Sequence, residues 1–198
     1  MADPTGPSTG TSRTTPRRGW WGRLTRRLWG ERRGAAAVEF ALIAAPFMFL
    51  LGAIFELAIL FLATQILDSA TAEAARLIRT GQAQQLKYTS DLFKAEVCNR
   101  LYALFDCNNV YVESKVYSNF ATIGDLTSMT SYVDSSGNFD PTKVTKYEPG
   151  SGSQIVVVRT FYAYPVVFKN LLWDETSAPG GKILMTGVAV FRNEPFPW

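Results

Sequence analysis

Between Arg33 and Asp68 the chain carries only two ionisable side chains, Glu39 and Glu56, set in an otherwise apolar run. A charge at the centre of a bilayer costs about 2.5 to 3.5 kcal/mol on insertion scales and less near the surface, so each carboxylate needs a partner. The chemistry these residues suggest is pairing. Counted from Ala35, Glu39 lies about 6 Å into the apolar layer at helical rise. Ala35 to Phe55 is 21 residues, or about 31 Å, which sets Glu56 near the far face. There it either contacts a partner helix or simply occupies the interface. The two acids are 17 positions apart and about 100° from alignment around a helix, so they need not serve the same partner.

Other chemistries find little support. The chain has no histidine, which removes Ser-His-Asp and Cys-His catalysis and every imidazole metal site. Its two cysteines, Cys98 and Cys107, cannot form a four-thiolate zinc site and do not form a C-x-x-C redox pair. Outside the cytoplasm oxidation is their default; a disulfide across so short a loop stabilises by about 2 to 3 kcal/mol, with two buried thiols as the alternative. The acids Asp125, Asp134 and Glu148 have no spacing that argues for a hydrolase. DSSGNFD, Asp134 to Asp140, faintly suggests a calcium loop but lacks the distal bidentate glutamate, and reads better as a turn joining two strands. No cofactor, metal or catalytic residue is expected.

The elements that position the two glutamates follow from composition. Residues 1–16 are rich in Pro, Gly, Ser and Thr and read as disordered. Residues 17–33 interleave Trp20, Trp21, Leu24, Leu28 and Trp29 with arginines, a basic amphipathic stretch suited to lipid headgroups. The first 34 residues hold eight arginines against Asp3 and Glu31, a net of +6, leaving −3 for the remainder of a chain whose total is +3. That asymmetry suits an anionic membrane surface and not nucleic acid. From Phe40 to Leu67 the run exceeds the 20 or so residues needed to cross a bilayer, so a transmembrane helix is expected over 35–67, Pro46 kinking it at most. The basic leader puts the N-terminus in the cytoplasm and the rest outside.

An amphipathic continuation is expected over 68–84, with Leu67, Ala70, Ala74, Leu77 and Ile78 inward, Asp68, Thr71, Glu73, Arg76 and Arg79 elsewhere, and an end at Gly81. Residues 85–198 read as an α+β head. Ser90-Asp91 caps a second helix carrying Phe93, Val97, Leu101, Leu104 and Phe105. Strands are expected at Val110–Tyr117, Gln154–Phe168 and Lys182–Phe191 in an antiparallel sheet, with a polar surface loop or hairpin over 118–153.

The junction RRGAAAVEF precedes the apolar run, which ordinary signal peptidase does not explain. Basic leader, Gly34, then Ala35-Ala36-Ala37-Val38-Glu39-Phe40 resembles the processing site of type IV pilin-like proteins, where a membrane aspartic peptidase cuts after the glycine. More narrowly, RRGAAAVEFALIAAPF, the Phe55-Glu56-Leu57 triplet, SATAEAARLIRTGQAQ and the ending GVAVFRNEPF resemble the TadE-like minor pseudopilins of the tight-adherence pilus. The resemblance implies a pilin-like architecture and processing between Gly34 and Ala35. It also implies assembly roles for Glu39, Phe40 and Glu56. The freed α-amine of Ala35, with a pKa near 8, would be cationic and could pair with Glu39 of a neighbouring helix. A Glu39 that stays protonated or reaches the headgroups beside Arg32 and Arg33 is the alternative.

The function so implied is structural: assembly, initiation or tip formation of a tight-adherence (Flp-type) pilus for surface adhesion. The partners implied are a prepilin peptidase, the major Flp-type pilin and other minor pseudopilins, the inner-membrane assembly platform and the lipid bilayer. The location implied is the bacterial inner membrane, single-pass, head periplasmic, with entry into the extracellular filament open. The runner-up is an uncleaved, signal-anchored periplasmic binding protein.

Overall fold

A computed structural model describes residues 32–101, 104–124, 130–136, 138–167 and 182–197. The basic leader through residue 31 and the acid Asp125, both weighed above, lie outside the described residues. The chain divides into two compact units, one ending at Leu50 and the other beginning at Leu51.

Helix α1 runs unbroken over Arg32–Arg79, 48 residues, with Pro46 inside it. Its stretch from Gly34 has the length and hydropathy to cross a membrane. In the first unit its apolar side chains face outward, Phe40, Leu42 and Ile43 each being at least 70% exposed. Within the second unit the same helix becomes a packing element. Leu60, Ala63, Leu67, Ala70, Ala74 and Ile78 recur at helical spacing and are buried, so the inward face begins inside the apolar run, a full two turns before Leu67. Leu77 is only half-buried, and Thr71, expected to face away, is fully buried. Its hydroxyl donates to the carbonyl of Leu67 at 2.7 Å, which removes the cost of burying it.

The helix ends where Gly81 turns left-handed at φ +80° and its amide donates to Ile78 O at 3.1 Å. A short helix α2, Gln82–Gln85, follows, then α3, Ser90–Cys98. The cap of α3 is Thr89, whose hydroxyl accepts from Leu92 N, and not Ser90-Asp91. Nor does α3 extend to Phe105. It stops at Cys98, and Leu101 and Phe105 pack on the core from beyond its end.

The strands β1 (Val110–Tyr117), β2 (Ile155–Pro165) and β3 (Lys182–Arg192) form one antiparallel sheet in the order β1-β2-β3. Alternation sends Val110, Val112, Val156, Val158, Tyr162 and Met185 into the core shared with α1 and α3. Each such large side chain contributes about 1.5 to 3 kcal/mol by leaving water. Where α1 passes β3, Gly187 makes room: a Cβ there would lie 2.5 Å from Thr71 Oγ1 and 3.0 Å from Leu67 O. The architecture is α+β and pilin-like, a long apolar N-terminal helix followed by short helices and a three-stranded antiparallel sheet.

The segment between β1 and β2 is more than a surface loop. It places Tyr132 and Phe139 against Phe161 on the sheet face opposite α1, a second apolar cluster. Asp134 to Asp140 does form a turn, closed by a bridge between Val133 and Phe139 and not by flanking strands. Asp134 Oδ1 accepts from the amides of Ser136 and Asn138 at 2.8 and 2.9 Å, so that carboxylate is consumed by the turn itself.

Candidate functional site

The junction residues lie in the first turns of α1. Gly34 is half-buried, Ala35 and Glu39 are exposed, and Phe40 is 74% exposed. The bond between Gly34 and Ala35 is thus inside a helical segment that begins at Arg32. Among the described residues Glu39 makes no hydrogen bond or ion pair, so its carboxylate points away from this unit's own atoms and toward whatever surrounds the helix.

Glu56 behaves differently. It is half-buried, and its Oε1 accepts the backbone amide of Val167, just past the end of β2. The structure therefore gives this acid a contact within the chain, 111 residues away, where the sequence suggested a partner helix or a bare interface.

Cys98 and Cys107 are joined, with Cα atoms 5.9 Å apart. The bond ties the last residue of α3 to the 3₁₀ turn, Cys107–Asn109, that leads into β1. Asp106 caps that turn through Asn108 N at 3.0 Å, and its own amide donates to the hydroxyl of Tyr162 at 3.2 Å. The disulfide thus fixes where the first strand starts.

Two polar assemblies escaped the sequence reading. The first is a charge cluster on the sheet face away from α1. Glu113 and Arg159 are register partners, and both are buried. Tyr132 donates its hydroxyl to Glu113 Oε2, while Arg159 Nη1 and Lys115 Nζ donate to the Tyr132 hydroxyl oxygen at 2.8 and 3.0 Å. Lys115 also pairs with Glu113 at 2.9 Å. Burial alone would lower the lysine's pKa, but its bonds to Tyr132 and Glu113 outweigh that and raise it. With Glu113 only 2% exposed and every acceptor engaged, the cluster fastens the 130–144 segment to the sheet and offers no open carboxylate for chemistry. Its signal in sequence was an acid and a lysine two apart on one strand and an arginine inside an apolar run.

The second assembly closes the C-terminus of α1. Asn193 is buried and its Nδ2 donates to the carbonyls of Pro149 and Ser151, each at 3.0 Å. Gln84 Nε2 reaches Ile78 O at 3.1 Å and Pro149 O at 2.8 Å. Glu194 pairs with Arg79 at 3.6 Å across an exposed edge, a contact worth little by itself. The ending FRNEPF therefore has a physical role, fastening strand, tail and helix end together.

A long apolar N-terminal helix whose distal half packs on a small antiparallel sheet defines the pilin-like class. Residues 34–76 match the family model described as TadE-like protein. That stretch runs from the junction glycine through the buried face of α1, and it is TadE-like as the quoted residues implied. TadE-like proteins form a structural, pilus-associated family. No curated protein and no solved structure matches the chain.

Proposed function

We propose that the protein is a minor pseudopilin of a tight-adherence (Flp-type) pilus, cut by a prepilin peptidase between Gly34 and Ala35 and acting in assembly, initiation or tip formation. In this reading α1 crosses the inner membrane once, the leader is cytoplasmic, and the α+β head is periplasmic. The subunit is structural, with the major pilin, other minor pseudopilins and the assembly platform as its partners.

The observation that carries the reading is the coincidence of the TadE-like match at 34–76 with an outward-facing carboxylate one helical turn past Ala35. Cleavage would place a cationic α-amine at the start of that helix. A neighbouring subunit's Glu39 could then neutralise it inside lipid and set the axial register of adjacent helices.

The test is to map the N-terminus in cells with an active prepilin peptidase. A chain beginning at Ala35 is expected; an intact leader at Met1 would leave an uncleaved, signal-anchored periplasmic protein in its place. Replacing Glu39→Ala is expected to leave insertion and cleavage intact and to reduce co-purification with other pilus components.

A further inference from the structure

β2 ends at Pro165, and the chain continues through Val166, which packs against the core, to Val167, which is 81% exposed. The Val167 amide donates to Glu56 Oε1, so this tip is tied to α1 at the residue that follows the 21-residue stretch Ala35 to Phe55, about the length needed to cross a bilayer. Around that tie the helix keeps an apolar outer surface, with Phe55 67% and Phe61 69% exposed and Leu57 and Ile59 also open. An exposed valine is thereby held beside an uncovered apolar helix face.

The hydrogen bond itself points to the surroundings. In bulk water an amide at an exposed tip needs no carboxylate, because solvent serves it. In a layer depleted of water an unpaired amide costs several kcal/mol, and so does an unpaired carboxylate. Joining the two lowers both costs.

We infer that the tip of β2 at Val166 and Val167 rests in the interfacial layer of the bilayer that α1 crosses, with Glu56 supplying the acceptor for the Val167 amide. The surface it meets is lipid, and the inference rests on the membrane-anchor reading above. Nearby Tyr164 is half-buried with its ring beside Tyr162, the amphipathic type of side chain that favours this layer. Burial, then the neighbouring Tyr162 and Glu56, raise its pKa, so its hydroxyl stays neutral.

Depth-dependent quenching tests this on the full chain in vesicles of phosphatidylethanolamine and phosphatidylglycerol. Cys98 and Cys107 are bonded to each other, so a single added cysteine takes the environment-sensitive dye. Three labelled variants are compared: Val167→Cys, Phe47→Cys within the apolar run, and Phe120→Cys. Phe120 follows the end of β1 that pairs with Ile155, about 33 Å along β2 from Pro165. The dye at 167 is expected to shift to the blue and to lose about half its emission to a headgroup-level spin label, the depth at which interfacial groups sit. The dye at 47 should be quenched by a deep label, and that at 120 by neither. Adding Glu56→Ala should weaken quenching at 167 and leave 47 unchanged.

Quenching at 47 with a dye at 167 that behaves like the one at 120 would overturn the inference and leave the anchor standing. Loss of deep quenching at 47 would remove the anchor and the inference together. A blue shift at 167 that grows with protein density but ignores lipid labels would assign the tip to a second copy, which also overturns it. Quenching at 167 that survives Glu56→Ala unchanged would overturn the role given to Glu56.

Discussion

The backbone amide of Glu194 donates to the carbonyl of Arg79 at 2.9 Å, so a residue from the last few of the chain satisfies one of the orphan carbonyls at the end of α1. Two residues on, the Phe196 ring closes over Gly81, so near that a Cβ on the glycine would lie 2.7 Å from it. Helix end and chain end stabilise each other. Gly81→Ala is expected to cost about 1 to 2 kcal/mol through the left-handed backbone alone, with the ring displaced as well. A stop codon after Asn193 should remove the same closure from the other side. Thermal unfolding in detergent, followed by circular dichroism, is expected to show both variants melting several degrees lower, on a scale of about 2 to 4 °C per kcal/mol.

Gly187 is the point where β3 lets the helix approach. Because one of its two close neighbours is a backbone oxygen, Leu67 O at 3.0 Å, and the other is Thr71 Oγ1 at 2.5 Å, Gly187→Ala has no flexible side-chain end to push aside. Overpacking of this kind costs about 1 to 3 kcal/mol. Combining it with Thr71→Ala removes the closer contact and leaves the carbonyl. A double-mutant cycle on unfolding free energy should therefore show partial rescue, a coupling of at least about 0.5 kcal/mol. Strict additivity would mean that helix and strand do not meet here.

Much of the head was legible because its strands announce themselves by period. VYVESKVY alternates, and its observed bounds are the expected ones; β2 starts one residue after its expected start and β3 ends one residue after its expected end, while the expected end of β2 at Phe168 lies outside the described residues. The long helix was legible first from the length of its apolar run and then, from Leu67 onward, from a period of 3.6. Periodicity says nothing, however, about which residue on a face is nearest to what. Thr71 looked polar and outward, yet it is buried because Gly187, more than 100 residues later, lets the helix in and because Leu67 O accepts its hydroxyl. Tyr132 sits in a Ser/Thr-rich stretch with no pattern, and its burial depends on Phe161 across the sheet. Of the candidate site, the cysteine pair is local in sequence and could be read there, as could the helix that carries the junction. The partner of Glu56 is a backbone amide at a strand tip, a group that no side-chain motif reports.

The disulfide has a calculable worth. With a sequence separation of nine, Cys98→Ser is expected to destabilise the head by about 2 to 3 kcal/mol in the chain-entropy account. The effect should fall first on the start of β1, since Asp106 and its bond to Tyr162 depend on the loop being held. Hydrogen exchange at the amides of 106–112 is expected to quicken before that of β2 and β3 in the variant. Uniform quickening across the sheet would show that the bond acts only through the unfolded chain.

The buried cluster of Glu113, Tyr132, Arg159 and Lys115 yields the sharpest pair of expectations, because its charges are unequal. Removing the single acid by Glu113→Ala leaves Arg159 buried beside Lys115 with no counter-charge, a loss of about 3 to 5 kcal/mol by analogy with other broken buried pairs. Tyr132→Phe deletes only the shared hydroxyl and should cost less, about 1 to 3 kcal/mol. The alkaline limb follows from Lys115, whose pKa is raised above its ordinary 10.5 by Tyr132 and Glu113 despite its partial burial. A group raised on folding binds its proton more tightly in the native state, so its contribution is complete below pH 10.5 and is lost as pH climbs through the higher folded value. Denaturant midpoints measured from pH 9 upward are therefore expected to fall beyond about pH 10.5, and Lys115→Met should flatten that limb. A variant whose decline matches that of the unaltered protein would place the sensitivity in other titrating groups.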